Sequence, residues 1–115
     1  MKTQTEKQCL TRIERIKTLL AALGDMRPGS ISEQYNVCGN PNCRCKDPEN
    51  PKKHGPYYQL SYTHNGKHTT EHVKRDVVND AKQQIKNFRR FKELTDEWVD
   101  LSVTVAKMRK AQQSK

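Results

Sequence analysis

Long hydrophobic runs are missing from this chain. No stretch approaches the ~18 consecutive apolar residues of a membrane-spanning helix, so no membrane association is expected. The opening Met-Lys-Thr-Gln-Thr-Glu-Lys-Gln lacks the apolar centre of a signal peptide, and a cytoplasmic location is the expectation. Apolar residues make up only 32% of the 115, which allows one small domain and not two. That domain, 1–115, divides into an N-terminal helix and linker (1–27), a metal-loop and β-sheet module (28–75), and a long helix with its tail (76–115). Aromatics are scarce, at 6%, and fall mostly at 57–62 and at Phe88, Phe91 and Trp98. A core this thin needs a staple, and a metal ion is one option. Catalytic signatures are missing as well: there is no nucleophile elbow, Gly-rich phosphate loop, kinase motif set or His-Glu-x-x-His. Non-enzymatic function is expected.

Cysteine is sparing and clustered. Three of the four cysteines fall in Cys38-Gly-Asn-Pro-Asn-Cys43-Arg-Cys45, and His54 follows in His-Gly-Pro-Tyr. In a reducing compartment, clustered thiols read as metal ligands before disulfides. Three thiolates and one imidazole complete a tetrahedral structural Zn²⁺ site, and residues 39–42 form the tight turn that brings two thiolates onto one ion. Metal ligands are therefore expected at Cys38, Cys43, Cys45 and His54, with His64, His68 and His72 as alternative fourth ligands. Iron–sulfur binding usually wants four thiolates, and Cys9 is remote, on the first helix. Unliganded thiols in a turn, or a redox role, are the competing readings.

Acidic residues are outnumbered. Lys and Arg total 22 against 13 Asp and Glu, a formal charge of +9, which suits a polyanionic partner. Arg44, Lys46, Lys52 and Lys53 surround the metal loop, while Lys67, Lys74 and Arg75 lie along a hairpin and its exit. A solvated face accounts for Lys82, Lys86, Arg89 and Arg90 equally well.

The pattern along the chain predicts an α+β fold: an N-terminal helix, a three-stranded antiparallel sheet with a Cys3His zinc loop, and a long C-terminal helix. Leu10, Ile13, Ile16, Leu20 and Leu23 place an apolar stripe on a helix over 5–23, with Gly24 ending it. Residues 25–29 are a linker. Residues 30–37 alternate as a first strand, with Ile31, Glu33, Tyr35 and Val37 on one face. Asn65-Gly66 between two β-rich runs is a hairpin turn. It pairs His64 with Lys67, Tyr62 with Thr69, Leu60 with Glu71 and Tyr58 with Val73. The polar face then carries Tyr57, Gln59, Ser61, Thr63, His68, Thr70, His72 and Lys74. Asp76 caps a helix of thirty-odd residues, roughly 45–50 Å long. The first helix covers part of it. Phe91, Leu94, Trp98, Leu101 and Val105 are expected at an interface with a second copy, making a homodimer.

The segment from Gly29 to about Leu101 resembles a family of short prokaryotic proteins carrying a domain of unknown function. The motifs that carry this are Cys38-Gly39-Asn40-Pro41-Asn42-Cys43-Arg44-Cys45, His54-Gly55-Pro56-Tyr57-Tyr58, Asn65-Gly66-Lys67 and Asn87-Phe88-Arg89-Arg90-Phe91. The resemblance implies an association with mobile elements and leaves the N-terminal helix outside the signature. In architecture, the strand, Gly-Lys hairpin and helix are similar to the small N-terminal DNA-binding domain of tyrosine recombinases. That likeness implies groove reading by Gln59, Ser61, Thr63, His68, Thr70 and His72, although the metal loop departs from it. The expected function is a zinc-stapled nucleic-acid-binding accessory protein acting on DNA. Alternatives are a protein-interaction module built on the long helix, and a metalloenzyme component.

Overall fold

A computed structural model describes residues 4–113. The elements are helix α1 (Glu6–Ala21), strands β1 (Ser30–Asn36), β2 (His54–His64) and β3 (Lys67–Val73), and helix α2 (Val78–Gln113), with 3₁₀ turns at Arg44–Lys46 and Arg75–Val77. They form two compact units. A helical unit takes Met1–Met26 and Lys86–Lys115, and a sheet unit takes Arg27–Ile85.

In the helical unit, α1 starts with a capping box. The Gln8 amide donates to Thr5 Oγ1 at 3.1 Å, and the Thr5 amide donates to Gln8 Oε1 at 2.9 Å. The helix stops at Ala21, with Ala22 as its αR C-cap, so Gly24 is not the residue that ends it. The apolar stripe predicted for α1 meets α2: Cys9, Ile13 and Ile16 are buried with Leu94, Leu101 and Val105, and Leu19, Leu20, Trp98 and Met108 pack against them. The two segments run antiparallel. Arg109 Nε reaches Glu6 Oε1 at 3.1 Å, Arg12 grips Glu97 through two bonds of 2.6 and 2.8 Å, and Asn87 Nδ2 donates to the Asp25 carbonyl at 2.8 Å.

This arrangement corrects one expectation. Leu94, Leu101 and Val105 are buried within the chain rather than presented to a second copy, and Trp98 sits against the same cluster with Lys17 Nζ 5.5 Å from its ring centroid. The reason is direction. An antiparallel α1 places its first turn beside Arg109 and so covers the 94–108 stretch that periodicity alone left without a partner. Phe91 is only half-buried, stacked on Phe88 at 6.5 Å between ring centroids.

The sheet unit has strand order β1-β2-β3, antiparallel throughout. The hairpin register is the predicted one: Tyr58 pairs with Val73, Leu60 with Glu71, Tyr62 with Thr69 and His64 with Lys67. Its turn uses Asn65 and Gly66 at φ of 52° and 76°. Two positive φ values in succession mark the turn type whose twist matches the strands. Leu60 and Val73 are buried with Val78, Ala81 and Ile85 from the first turns of α2, and Ile31, Tyr58 and Tyr62 pack around them.

Two details differ from the sequence reading. The first strand ends at Asn36, one residue short of the expected Val37, and Tyr35 and Val37 are exposed, at 53% and 49%. Ile31, nearer the start of β1, packs against the buried cluster of the sheet unit with Tyr58 and Tyr62. Asp76 lies inside the 3₁₀ turn that leads into α2. The extended cap residue of that turn is Lys74, which makes no side-chain cap bond.

Candidate metal centre

The pairing of β1 with β2 sets the frame of the site. Asn36 at the end of β1 lies opposite His54 at the start of β2, so the loop between them returns to its origin. Cys38 follows β1 by two residues, and His54 opens β2. Inside the loop the Asn42 amide donates to Asn40 Oδ1 at 3.0 Å and the Cys43 amide to the Asn40 carbonyl at 3.2 Å, closing the Gly-Asn-Pro-Asn turn. A single 3₁₀ turn then carries Cys45 inward, with the Lys46 amide on the Cys43 carbonyl at 3.0 Å.

Gly55 holds His54 against β1. Its φ is +141°, and a Cβ there would lie 2.7 Å from the Gln34 carbonyl oxygen and 2.9 Å from Tyr35 Cδ1. The β1–β2 register slips between Gln34 and Asn36, where Gly55 and Pro56 make β2 one residue longer than its partner. Such a bulge re-aims the side chain beside it. Here that side chain is the His54 imidazole.

The result is a Cys3His cluster. The ligand atoms of Cys38, Cys43, Cys45 and His54 all lie within 4.8 Å of one another and could hold a metal ion. Cys38 Sγ and Cys45 Sγ are 3.5 Å apart, and Cys43 Sγ is 3.1 Å from His54 Nε2. The Cys38 amide donates to Cys45 Sγ at 3.4 Å, a contact that ligand spacing alone does not reveal. All four cysteines are free thiols, and no disulfide competes for them.

The electrostatics favour the thiolate at Cys43 and Cys38 and oppose it at Cys45. Hydrogen bonding from the Cys45 backbone, with help from the Cys38 side chain, lowers the Cys43 thiol to about 6. A backbone hydrogen bond at Asn40, then the His54 side chain, lowers Cys38. Burial pushes Cys45 up, and Cys45 is only 2% exposed. The neighbouring sulfurs, Cys38 first, raise His54. A divalent cation would resolve these opposed tendencies by taking the place of the protons.

The alternative ligands are set aside by position. His64, His68 and His72 lie outside the cluster, and Cys9 is buried in the helical core. Asp47 and Glu49 are exposed and not among the grouped ligands.

The other candidate residues sit around this centre and along the hairpin. Arg44, Lys46, Lys52, Lys53, Lys67, Lys74 and Arg75 are exposed. On the polar sheet face Tyr57, Thr63, His68, Thr70 and His72 are exposed, while Gln59 and Ser61 are half-buried. Three contacts knit that face together: Ser61 Oγ to Thr70 Oγ1 at 3.2 Å, Thr63 Oγ1 to His68 Nδ1 at 3.1 Å, and Thr70 Oγ1 to His68 Nε2 at 3.5 Å. Sequence reasoning passed over a small cavity lined by Arg27, Pro28, Tyr62 and His64, because Arg27 and Pro28 read as linker.

No helix among the described residues is long and apolar enough to cross a membrane. No curated protein and no solved structure matches the chain. One family model matches residues 6–83, which takes in α1, the metal loop and the whole sheet. The N-terminal helix thus lies inside the family, not outside it as the motif comparison implied. The chain belongs to DUF6788, a domain of unknown function.

Proposed function

We propose that this chain is a small zinc-stapled module that binds nucleic acid, with DNA as the partner, and serves as an accessory protein. The observation that carries the metal reading is the gathered Cys3His cluster. Ligands around tetrahedral Zn²⁺, bonded at about 2.0–2.3 Å, sit roughly 3.5–3.8 Å apart. The Cys38–Cys45 and Cys43–His54 separations of 3.5 and 3.1 Å fit that spacing with small adjustment. Three thiolates suit Zn²⁺, whereas an iron–sulfur cluster would lack its fourth. The role is structural, since four protein ligands leave no open position for substrate.

The nucleic-acid reading is supported by charge without compensation. Among the described residues, Arg44, Lys46, Lys52, Lys53, Lys67, Lys74 and Arg75 form no ion pair with an acid. Phosphate contacts need distributed cations of this kind, and the polar face with Tyr57 beside it offers donors and a flat ring for bases. The test is binding to a DNA duplex and to single strands across a salt series. A linear fall of log affinity with log salt is expected, and salt-insensitive binding or none would refute the reading.

A second reading rests on α2. Val99 and Val103 are 60% and 49% exposed, and with Thr95, Trp98, Ser102 and Ala106 they line an apolar groove of about 480 Å³. This face, one step round the helix from the interface expected from sequence, suits a second copy of the chain. Sedimentation of wild type beside Val99→Glu separates the cases. A dimer that the substitution dissociates supports self-association, and a wild-type monomer rules it out.

A further inference from the structure

One face of the sheet carries more than its core uses. Side chains on one face of a strand recur every second residue, ~6.6 Å apart, so Leu60, Tyr62 and His64 share a side of β2. Leu60 is fully buried, Tyr62 is half-buried, and His64 is exposed. β1 begins at Ser30 opposite Ser61, so it gives neither Tyr62 nor His64 a neighbour. On the other flank, β3 places Thr69 opposite Tyr62 and Lys67 opposite His64.

The segment before β1 walls this space. Gly29 has a φ of +132°, and a Cβ there would lie 2.8 Å from the Ser61 carbonyl oxygen and 2.9 Å from Leu60 Cδ1. Only glycine lets the chain lie this close to β2, and the approach sets Pro28 beside Tyr62. Arg27 is pinned twice, by its amide on the Gln84 carbonyl at 3.2 Å and by Nη2 on Glu71 Oε1 at 2.8 Å. The space between them is an open cavity of about 250 Å³ lined by Arg27, Pro28, Tyr62 and His64.

Its chemistry is specific. The walls are a phenol ring, an imidazole and a pyrrolidine, and the polar groups retain capacity. Among the described residues, neither the Tyr62 hydroxyl nor the His64 ring makes a hydrogen bond. Glu71 is already matched to Arg27, while Lys67, opposite His64 on β3, pairs with no acid among the described residues. Two aromatic walls, unused donors and acceptors, and cations at Arg27 and Lys67 suit a planar heterocycle that carries a phosphate. Aromatic side chains take such rings by stacking, with little regard to which base is present.

We infer that this cavity takes one unpaired nucleobase, stacked at Tyr62 and His64, with its phosphate at Arg27 and Lys67. The site lies on the opposite side of the sheet from the polar face and provides a contact for single-stranded nucleic acid. The inference rests on the nucleic-acid reading where the base belongs to a strand, and stands apart from it where the source is a free mononucleotide.

The experiment titrates the intact metal-bound protein with adenosine monophosphate and, separately, with a short mixed-sequence single-stranded DNA. Side-chain NMR signals of Tyr62 and His64 are followed, together with affinities for wild type, Tyr62→Ala and His64→Ala. The strand should move both signals, and Tyr62→Ala should weaken binding by about 5- to 150-fold, the range for loss of one stacked base. Because Tyr62 touches the core, the exposed His64→Ala variant and the signal shifts decide the matter if Tyr62→Ala fails to fold. A strand that binds both variants like wild type and leaves the signals unmoved overturns the inference while the nucleic-acid function stands. Shifts with the mononucleotide and no strand binding uphold the pocket and overturn that function. No shift with either ligand overturns the pocket.

Discussion

The Cys43 sulfur lies 3.1 Å from His54 Nε2, across a loop whose two ends are held together by the β1–β2 ladder. Hydrogen bonds, first from the Cys45 backbone, keep this thiol near pKa 6. Cys45, two residues on in the 3₁₀ turn, is buried and pushed up. Chelator-treated protein should therefore alkylate unevenly with iodoacetamide. Cys43 reacts first, at a rate that rises through about pH 6 as the thiolate forms. Of the three loop thiols, Cys45 reacts last and needs higher pH. Peptide mass mapping across pH reads the order, and Cys45 reacting first would contradict the geometry.

The Arg12–Glu97 pair makes acid stability pH-dependent. The Arg12 guanidinium lowers the Glu97 carboxyl below its ordinary 4.5. A depressed carboxyl contributes stability that is present above 4.5 and lost as pH falls through the lower folded value. Urea midpoints measured from pH 7 to pH 3 should fall more steeply for wild type than for Arg12→Met. Parallel curves would mean that the pair adds nothing beyond its solvated state.

Leu94 and Leu60 each anchor one of the two cores, and both are fully buried. Truncation of either to alanine should cost about 2–5 kcal/mol, measured by denaturant unfolding. The folded Leu94→Ala protein should keep its metal, because no ligand belongs to that core. Metal loss from folded Leu94→Ala would show that the helical core and the ligand cluster are coupled.

Charge reversal tests where phosphate binds. Lys52 and Lys53 are exposed beside the metal loop. If each contacts one phosphate, Lys52→Glu with Lys53→Glu should reduce the salt slope of DNA binding by about 2, at roughly 0.9 per phosphate. Reversal at Lys107, an exposed position on α2 outside the sheet unit, should leave the slope close to wild type. Equal effects from both would point to unspecific attraction by net charge.

The hairpin was legible in the sequence because Asn65-Gly66 fixes both turn and register, and every cross-strand pair followed from it. The ligand set was legible because thiolates in one short loop can converge only locally. The cover over Trp98 was not, since periodicity gives the apolar stripe of α2 without saying that α1 returns antiparallel along it. The exposure of Tyr35 was not legible either, since alternation assigns residues to a strand face without saying which of them meets the core. The Arg27–Pro28 wall was hidden for a similar reason: a linker becomes a wall only once Gly29 is seated on β2.

Elemental analysis of protein purified without chelator, beside Cys43→Ser, asks whether the Cys3His cluster holds zinc. Wild type should hold one zinc per chain, and the variant should lose zinc and melt at a lower temperature. Wild-type protein that is folded and free of metal, or a variant that retains full zinc and full thermal stability, would contradict this assignment.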